Sequence, residues 1–143
     1  MTTPAEVEEY PEKGEFPDFE QVLVDLLTPL SYTCTSLPAE REELDALIAD
    51  GLIWVRRTGG SANADQTDDR ALVQLSVITP KRRTSQRLAR HVRNAVSNCP
   101  GKSINGVLID YVEETSGALE QLELDPLNRE IEVGFMMQAR KQW

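Results

Sequence analysis

Histidine occurs once in this chain and cysteine twice. Nucleophilic catalysis needs a base beside the nucleophile. The single His91 sits in the middle of a basic segment with no Ser or Cys placed next to it, so no catalytic residue is assigned and the chain is not read as an enzyme. Cys34 and Cys99 lack the spacing of metal ligands and read as buried thiols in a reducing compartment rather than as a disulfide. No run approaches about 18 consecutive apolar residues, which excludes a membrane-spanning helix. The N-terminus is acidic and has no apolar core, which excludes a signal peptide. Gly59-Gly60 could open a phosphate loop, but no Lys-Ser/Thr pair follows and acids do. Asp65, Asp68 and Asp69 fall in one stretch without the glycine-centred register of a calcium loop, so neither a metal site nor a cofactor is assigned.

Charge of one sign is also scarce in places. The formal net charge is -9, unevenly spread: -6 over residues 1–20, -5 over 21–78, +7 over 79–102 and -5 over 103–143. The 79–102 segment has seven bases and no acid. An acidic body binds nucleic acid poorly, because affinity for phosphates comes from Lys and Arg displacing counterions. The basic segment is the local exception.

What is present is an alternation of helical and strand periods. Residues 1–15 hold Pro4, Pro11, Gly14 and five glutamates with little to bury, and read as a disordered tail, either a solvated extension or an arm that orders on a partner. From Asp18, the residues Phe19, Val22, Leu23, Leu26, Leu27 and Leu30 form one helical stripe, closed by Pro29. Tyr32–Leu37 is a short strand candidate. Pro38–Asp50 carries Leu44, Leu47 and Ile48 at helical spacing, early glutamates and Gly51 just past its end, which predicts a short helix.

The apolar runs starting at Leu52 and ending at Ile78 predict two central strands joined by a long polar loop over Gly59–Asp69. Pro80 opens the basic helix, with Leu88, Val92, Ala95, Val96 and Cys99 on one stripe and arginines over the rest; Pro100-Gly101 stops it. Its charged face is open to three readings: a solvated surface, a docking face for an acidic surface carried by Arg83, Arg87 and Arg90, or a nucleic-acid contact over 81–93, for which no stacking aromatics accompany it. Ile104–Thr115 alternates as a strand, Ser116–Asn128 reads as a loop, and Arg129–Lys141 gives the clearest alternation in the chain. The fold class is therefore α+β, with an antiparallel or mixed sheet of four or five strands and two main helices packed on one face; 16–143 forms one domain.

With no catalytic group, the remaining class is an interaction protein. Charge asymmetry between segments suits head-to-tail subunit contacts. A long loop inside a compact domain is usually functional. The stretch Arg56, Arg57, Gly59, Gly60, Asp65, Asp68, Asp69 and Arg70 is the candidate subunit contact.

The run Phe16-Pro-Asp-Phe-Glu-Gln-Val-Leu-Val-Asp-Leu-Leu-Thr-Pro-Leu30, then Leu52-Ile-Trp-Val-Arg-Arg-Thr-Gly-Gly60, Asp69-Arg70 before a strand, and Gly106-Val-Leu-Ile-Asp-Tyr-Val-Glu113 resembles the tail terminator proteins of long non-contractile-tailed phages, particularly those of actinobacterial hosts. The resemblance covers roughly residues 16–141, and its most specific piece is Val55–Gly60 followed by Asp69-Arg70. The acidic extension and the helix at 39–50 depart from the shorter family pattern. The resemblance implies an α+β structural virion protein, without cofactor or turnover, that forms a hexameric ring. Such a ring caps the head-proximal end of the tail tube and then meets a head-completion or neck protein, with DNA passing through it unbound. The alternatives are another neck ring of the stopper type, or a small regulatory nucleic-acid-binding domain using the basic helix.

Overall fold

The computed structural model describes residues 13–121 and 129–143, with side chains 118–121 left aside. The elements run α1 (Phe19–Leu27), β1 (Tyr32–Cys34), α2 (Arg41–Asp50), β2 (Leu52–Ala62), β3 (Asp68–Thr79), α3 (Arg82–Ser97), β4 (Ser103–Ile104), β5 (Val107–Leu108), β6 (Tyr111–Gln121) and β7 (Arg129–Arg140). Five strands form one mixed sheet in the order β1-β2-β3-β7-β6, and β4-β5 form a separate small one. β1 runs parallel to β2; every other neighbouring pair in the large sheet is antiparallel. The chain is thus α+β, as its periodicities predict.

Side chains alternate across a strand, so each strand feeds two faces. On one face Ile53, Val55, Val73, Leu75, Val77, Ile131, Val133, Phe135, Met137 and Ala139 are buried and join Phe19, Val22, Leu23 and Leu27 of α1 with Ala89, Val92 and Val96 of α3 in the main core. These are the two main helices on one face. Asp18 caps α1, its side chain accepting a hydrogen bond from the Gln21 N–H at 3.2 Å, and satisfies one of the donors that a helix start leaves open. Leu30, assigned to the α1 stripe by spacing, lies beyond the helix end and is exposed. On the opposite face Leu52 and Ile78 meet Ile48 of α2, with Leu44, Leu47, Leu37 and Cys34 around them. The third helix therefore covers the far side of the sheet, at one end only.

Three expectations need correction. The stretch Gly59–Asp69 is not a long loop. The β2–β3 ladder continues through Gly59↔Leu72, Gly60↔Ala71, Ser61↔Arg70 and Ala62↔Asp69, leaving only residues 63–67 as the turn. Composition suggests a loop there, but backbone pairing overrides weak strand propensity. The Asn63 carboxamide oxygen accepts from the Thr67 and Asp68 N–H groups at 2.8 and 3.0 Å and closes the turn.

The stretch Ile104–Thr115 is not one strand. Asn105 and Gly106 both have positive φ, +48° and +84°, and turn the chain between β4 and β5. Asn-Gly is the preferred pair for a two-residue hairpin of this kind. Finally, part of the predicted loop at Ser116–Asn128 is strand, since β6 runs on to Gln121 with register shifts between Glu114 and Ser116 and between Ser116 and Leu119.

The acidic tail lies outside the described residues up to position 12. Where it enters the structure, the Gly14 N–H donates to the Gln142 carbonyl, and the Gln142 N–H donates to the Glu15 carbonyl at 2.8 Å. The two ends of the domain are thereby laid side by side.

Candidate functional site

The Arg-Arg-Thr-Gly-Gly stretch straddles a β-bulge. Arg57 pairs with Val73 and Gly59 with Leu72, so Thr58 is the extra residue. A bulge adds one residue to one strand and bends it. It also changes which way the following side chains point. Arg56 and Arg57, just before it, point to opposite faces by ordinary strand alternation and have two different jobs.

Arg56 points to the face that carries α2. Its guanidinium stacks on the Trp54 ring, 3.8 Å from the centroid. It donates to Ser76 Oγ at 3.1 Å and to Glu132 at 2.9 Å. Ser76 Oγ in turn donates to Glu130 at 2.9 Å. Ser76 is fully buried, so this chain of bonds satisfies a hydroxyl that would be costly to leave unpaired. It stitches β2, β3 and β7 together where α2 ends.

Arg57 points to the other face. Its guanidinium makes a two-pronged bond to Asp69, 2.9 and 3.0 Å, and sits 5.6 Å from the centroid of the Phe19 ring. Asp69 is 7% exposed, and a nearly buried carboxylate is tolerated only when paired. The bond to Asp69 holds the Arg57 guanidinium above its ordinary pKa, against the opposing effect of partial burial. The Glu20 carboxylate of α1 accepts the Arg57 backbone N–H at 2.8 Å, tying the helix start to the bulge. Gly60 has φ +91°, and a side chain there would place its first carbon 1.9 Å from the Arg70 carbonyl oxygen. Only glycine fits that backbone.

Of the eight residues predicted as a contact stretch, the structure brings together Arg57 with Asp69 and joins Arg56 to the adjacent strands. Asp65 and Arg70 are exposed, Asp68 is half-buried, and all three lie on the outer arm of the hairpin. Beside that arm a shallow open groove of about 620 Å³ runs between Gln66 and Thr67 of the turn, Leu108 and Asp110, and the final residues 140–143. Asp110 holds Arg140 there through bonds of 2.9 Å to both its backbone N–H and its guanidinium. That bond raises the Arg140 pKa. Trp143 is 91% exposed at the edge of the groove. Neither the groove nor the Arg57–Asp69 bond was legible from motifs. The bond becomes visible only once β2 and β3 are extended and their register fixed.

The basic helix divides as its stripe predicts. Ala89, Val92 and Val96 are buried, with Ser85 fixed between the Thr79 hydroxyl and the Arg129 carbonyl, both at 2.7 Å. Arg83, Arg87 and Arg90 are exposed and make no ion pair among the described residues. Arg93 is bound to Glu114 of β6 at 2.6 Å. His91 is exposed beside them. Among the described residues the exposed large aromatics, Tyr32, Tyr111 and Trp143, lie outside this helix.

Cys99 is buried, and burial pushes its thiol up to about 11; Cys34 is half-buried and shifted the same way. A thiol held in its neutral form is a poor nucleophile and metal ligand. Among the described residues no group of three or more His, Cys, Asp or Glu is placed to hold a metal ion, and no helix is long and apolar enough to cross a membrane.

Comparison with known proteins adds two findings. A family model described as phage tail termination protein matches residues 15–142, from the N-terminal segment that pairs with Gln142 through the last strand. Among solved structures, a chain from the virion of a native gene transfer agent particle has the same fold, with a TM-score of 0.51 at 15% identity, over 83% of this chain and 84% of that one. No curated protein matches.

Proposed function

The chain belongs to the phage tail termination proteins, a structural component of the virion, and from that premise we propose that it forms a ring that caps the head-proximal end of the tail tube, ends tube polymerisation and offers the surface on which the head is joined. The observation that carries this reading is the extent of the family match, which takes in every strand of the sheet and the three helices of the described residues.

The geometry is in keeping with it. Four arginines are tied into the scaffold by ion pairs: Arg57 to Asp69, Arg56 to Glu132, Arg93 to Glu114, Arg140 to Asp110. The hairpin arm from Gly59 to Arg70 is the proposed contact with the tube. Arg56, Arg57, Gly59, Gly60 and Asp69 set its shape, and Asp65, Asp68 and Arg70 carry its outward charge. The net charge of -9 suits a ring through which DNA slides, because phosphates are held by Lys and Arg. Six copies and a head-side neck partner complete the proposed assembly, built in the host cytoplasm.

Deletion of the gene tests this reading in the phage itself. The expected result is tails of uncontrolled length that remain unjoined to heads. Tails of normal length attached to heads would overturn it.

A further inference from the structure

Two helices of opposite charge lie on opposite faces of the sheet. α3 packs with the main core, and α2 packs with Leu52 and Ile78 on the other side. From Lys81 to Ser97 the α3 segment has six bases and no acid, whereas Glu40 to Asp50 has five acids and one base. Much of that charge has no counter-charge among the described residues. Arg83, Arg87 and Arg90 follow one another at i, i+4 and i+7 along the exposed ridge of α3 without an ion pair among the described residues. Glu40, Glu42, Glu43 and Asp50 are exposed and make no ion pair among the described residues, whereas Asp45 is held by Arg41 at 3.0 Å.

The α3 charges are also badly placed for an isolated helix. Lys81 is its N-cap residue, makes no side-chain capping bond, and is followed by two arginines with no acid in the first turn. A helix start favours negative charge, and like charges three or four residues apart repel. The free subunit carries this repulsion, and an acidic surface laid along the ridge would relieve it.

We propose that the exposed ridge of α3, through Arg83, Arg87 and Arg90, docks on the acidic face of α2 in a second copy of this chain. The inference rests on the ring reading above and names the faces that meet in it. Because the two patches lie on opposite sides of one sheet, they cannot satisfy each other within a subunit. Nor can they meet in a two-fold pair, which would bring the same side of both copies together. The contact is head-to-tail, and head-to-tail contacts close into rings when the rotation allows. Complementary charge of this kind fixes orientation and register and suppresses wrong pairings.

The test uses two full-length variants, Arg83→Glu/Arg87→Glu/Arg90→Glu and Glu40→Lys/Glu42→Lys/Glu43→Lys. Self-association is followed by analytical ultracentrifugation at low salt, with and without purified tail tubes. Each variant alone presents like charges at every contact, and its self-association should be at least about tenfold weaker than that of the wild type, the scale expected for removing several charge pairs. In an equimolar mixture that alternates the two variants, every contact again joins opposite charges, and the mixture should assemble as the wild type does. Raising the salt to about 1 M, where screening acts over roughly 3 Å, should weaken the wild-type contact.

Variants that assemble like the wild type, or a mixture of folded variants that fails to recover, would overturn the docking and leave the ring reading standing. Wild type that forms no ring, alone or on tubes, would overturn both. Circular dichroism confirms folding; if a triple reversal unfolds the chain, Arg87→Gln and Glu43→Gln are measured instead, and each must weaken association for the proposal to survive.

Discussion

Gly60 and Asp69 show how a hairpin arm that composition marks as loose is in fact fixed in shape. The φ of +91° at Gly60 is open to glycine, and its neighbour across the ladder leaves no room for a side chain. Gly60→Ala should therefore cost about 2–4 kcal/mol, combining a left-handed backbone penalty with displacement of the Arg70 carbonyl. Urea unfolding of the purified variant measures this; a loss below about 0.5 kcal/mol, the range of an unremarkable surface change, would show that the strand relaxes freely. The pair Gly59-Gly60 is visible in the sequence, but which glycine is required is not. That follows from the bulge at Thr58, and a bulge is a property of two strands in register.

At the scale of elements, the main sheet and the two helices on its core face were legible, because periods of two and 3.6 survive in these stretches. In β7 the residues Ile131, Val133, Phe135, Met137 and Ala139 alternate without interruption, and all are buried. The short elements were not so readable. Ile104–Thr115 alternates well enough to pass for one strand, although the Asn105-Gly106 turn inside it is a strong hairpin signal. The two hydrophobic clusters differ in size, which sets an expectation for stability. Leu75 is fully buried in the larger one, so Leu75→Ala should cost about 2–5 kcal/mol. Leu44 is only partly buried, on a helix whose sole buried residue is Ile48, so Leu44→Ala should cost less than about 1 kcal/mol. Denaturant midpoints of the two variants check this, and equal losses would mean that α2 is as firmly held as the core.

For the whole molecule, local chemistry offered no catalytic group to build on and could not name a role, because a structural virion protein carries its specificity on surfaces whose partners are absent from the chain. The resemblance in Val55–Gly60 and Asp69-Arg70 supplied the family, and the match over residues 15–142 shows it. The fold then gives those motif residues a reason. Arg56 and Arg57 leave the same strand in opposite directions, one to the Trp54–Glu132 side and one to Asp69. They hold the hairpin in shape, and its outer arm, with Asp65, Asp68 and Arg70, is the proposed contact with a partner.

The central claim is that this ring ends the growth of a tube. It is tested most directly by adding the purified chain to preformed tail tubes, supplying fresh tube protein, and measuring tube length and end structure by electron microscopy. The account predicts density on one end only of each tube and no further lengthening from that end. Tubes that stay bare, or that lengthen from an occupied end, would contradict it.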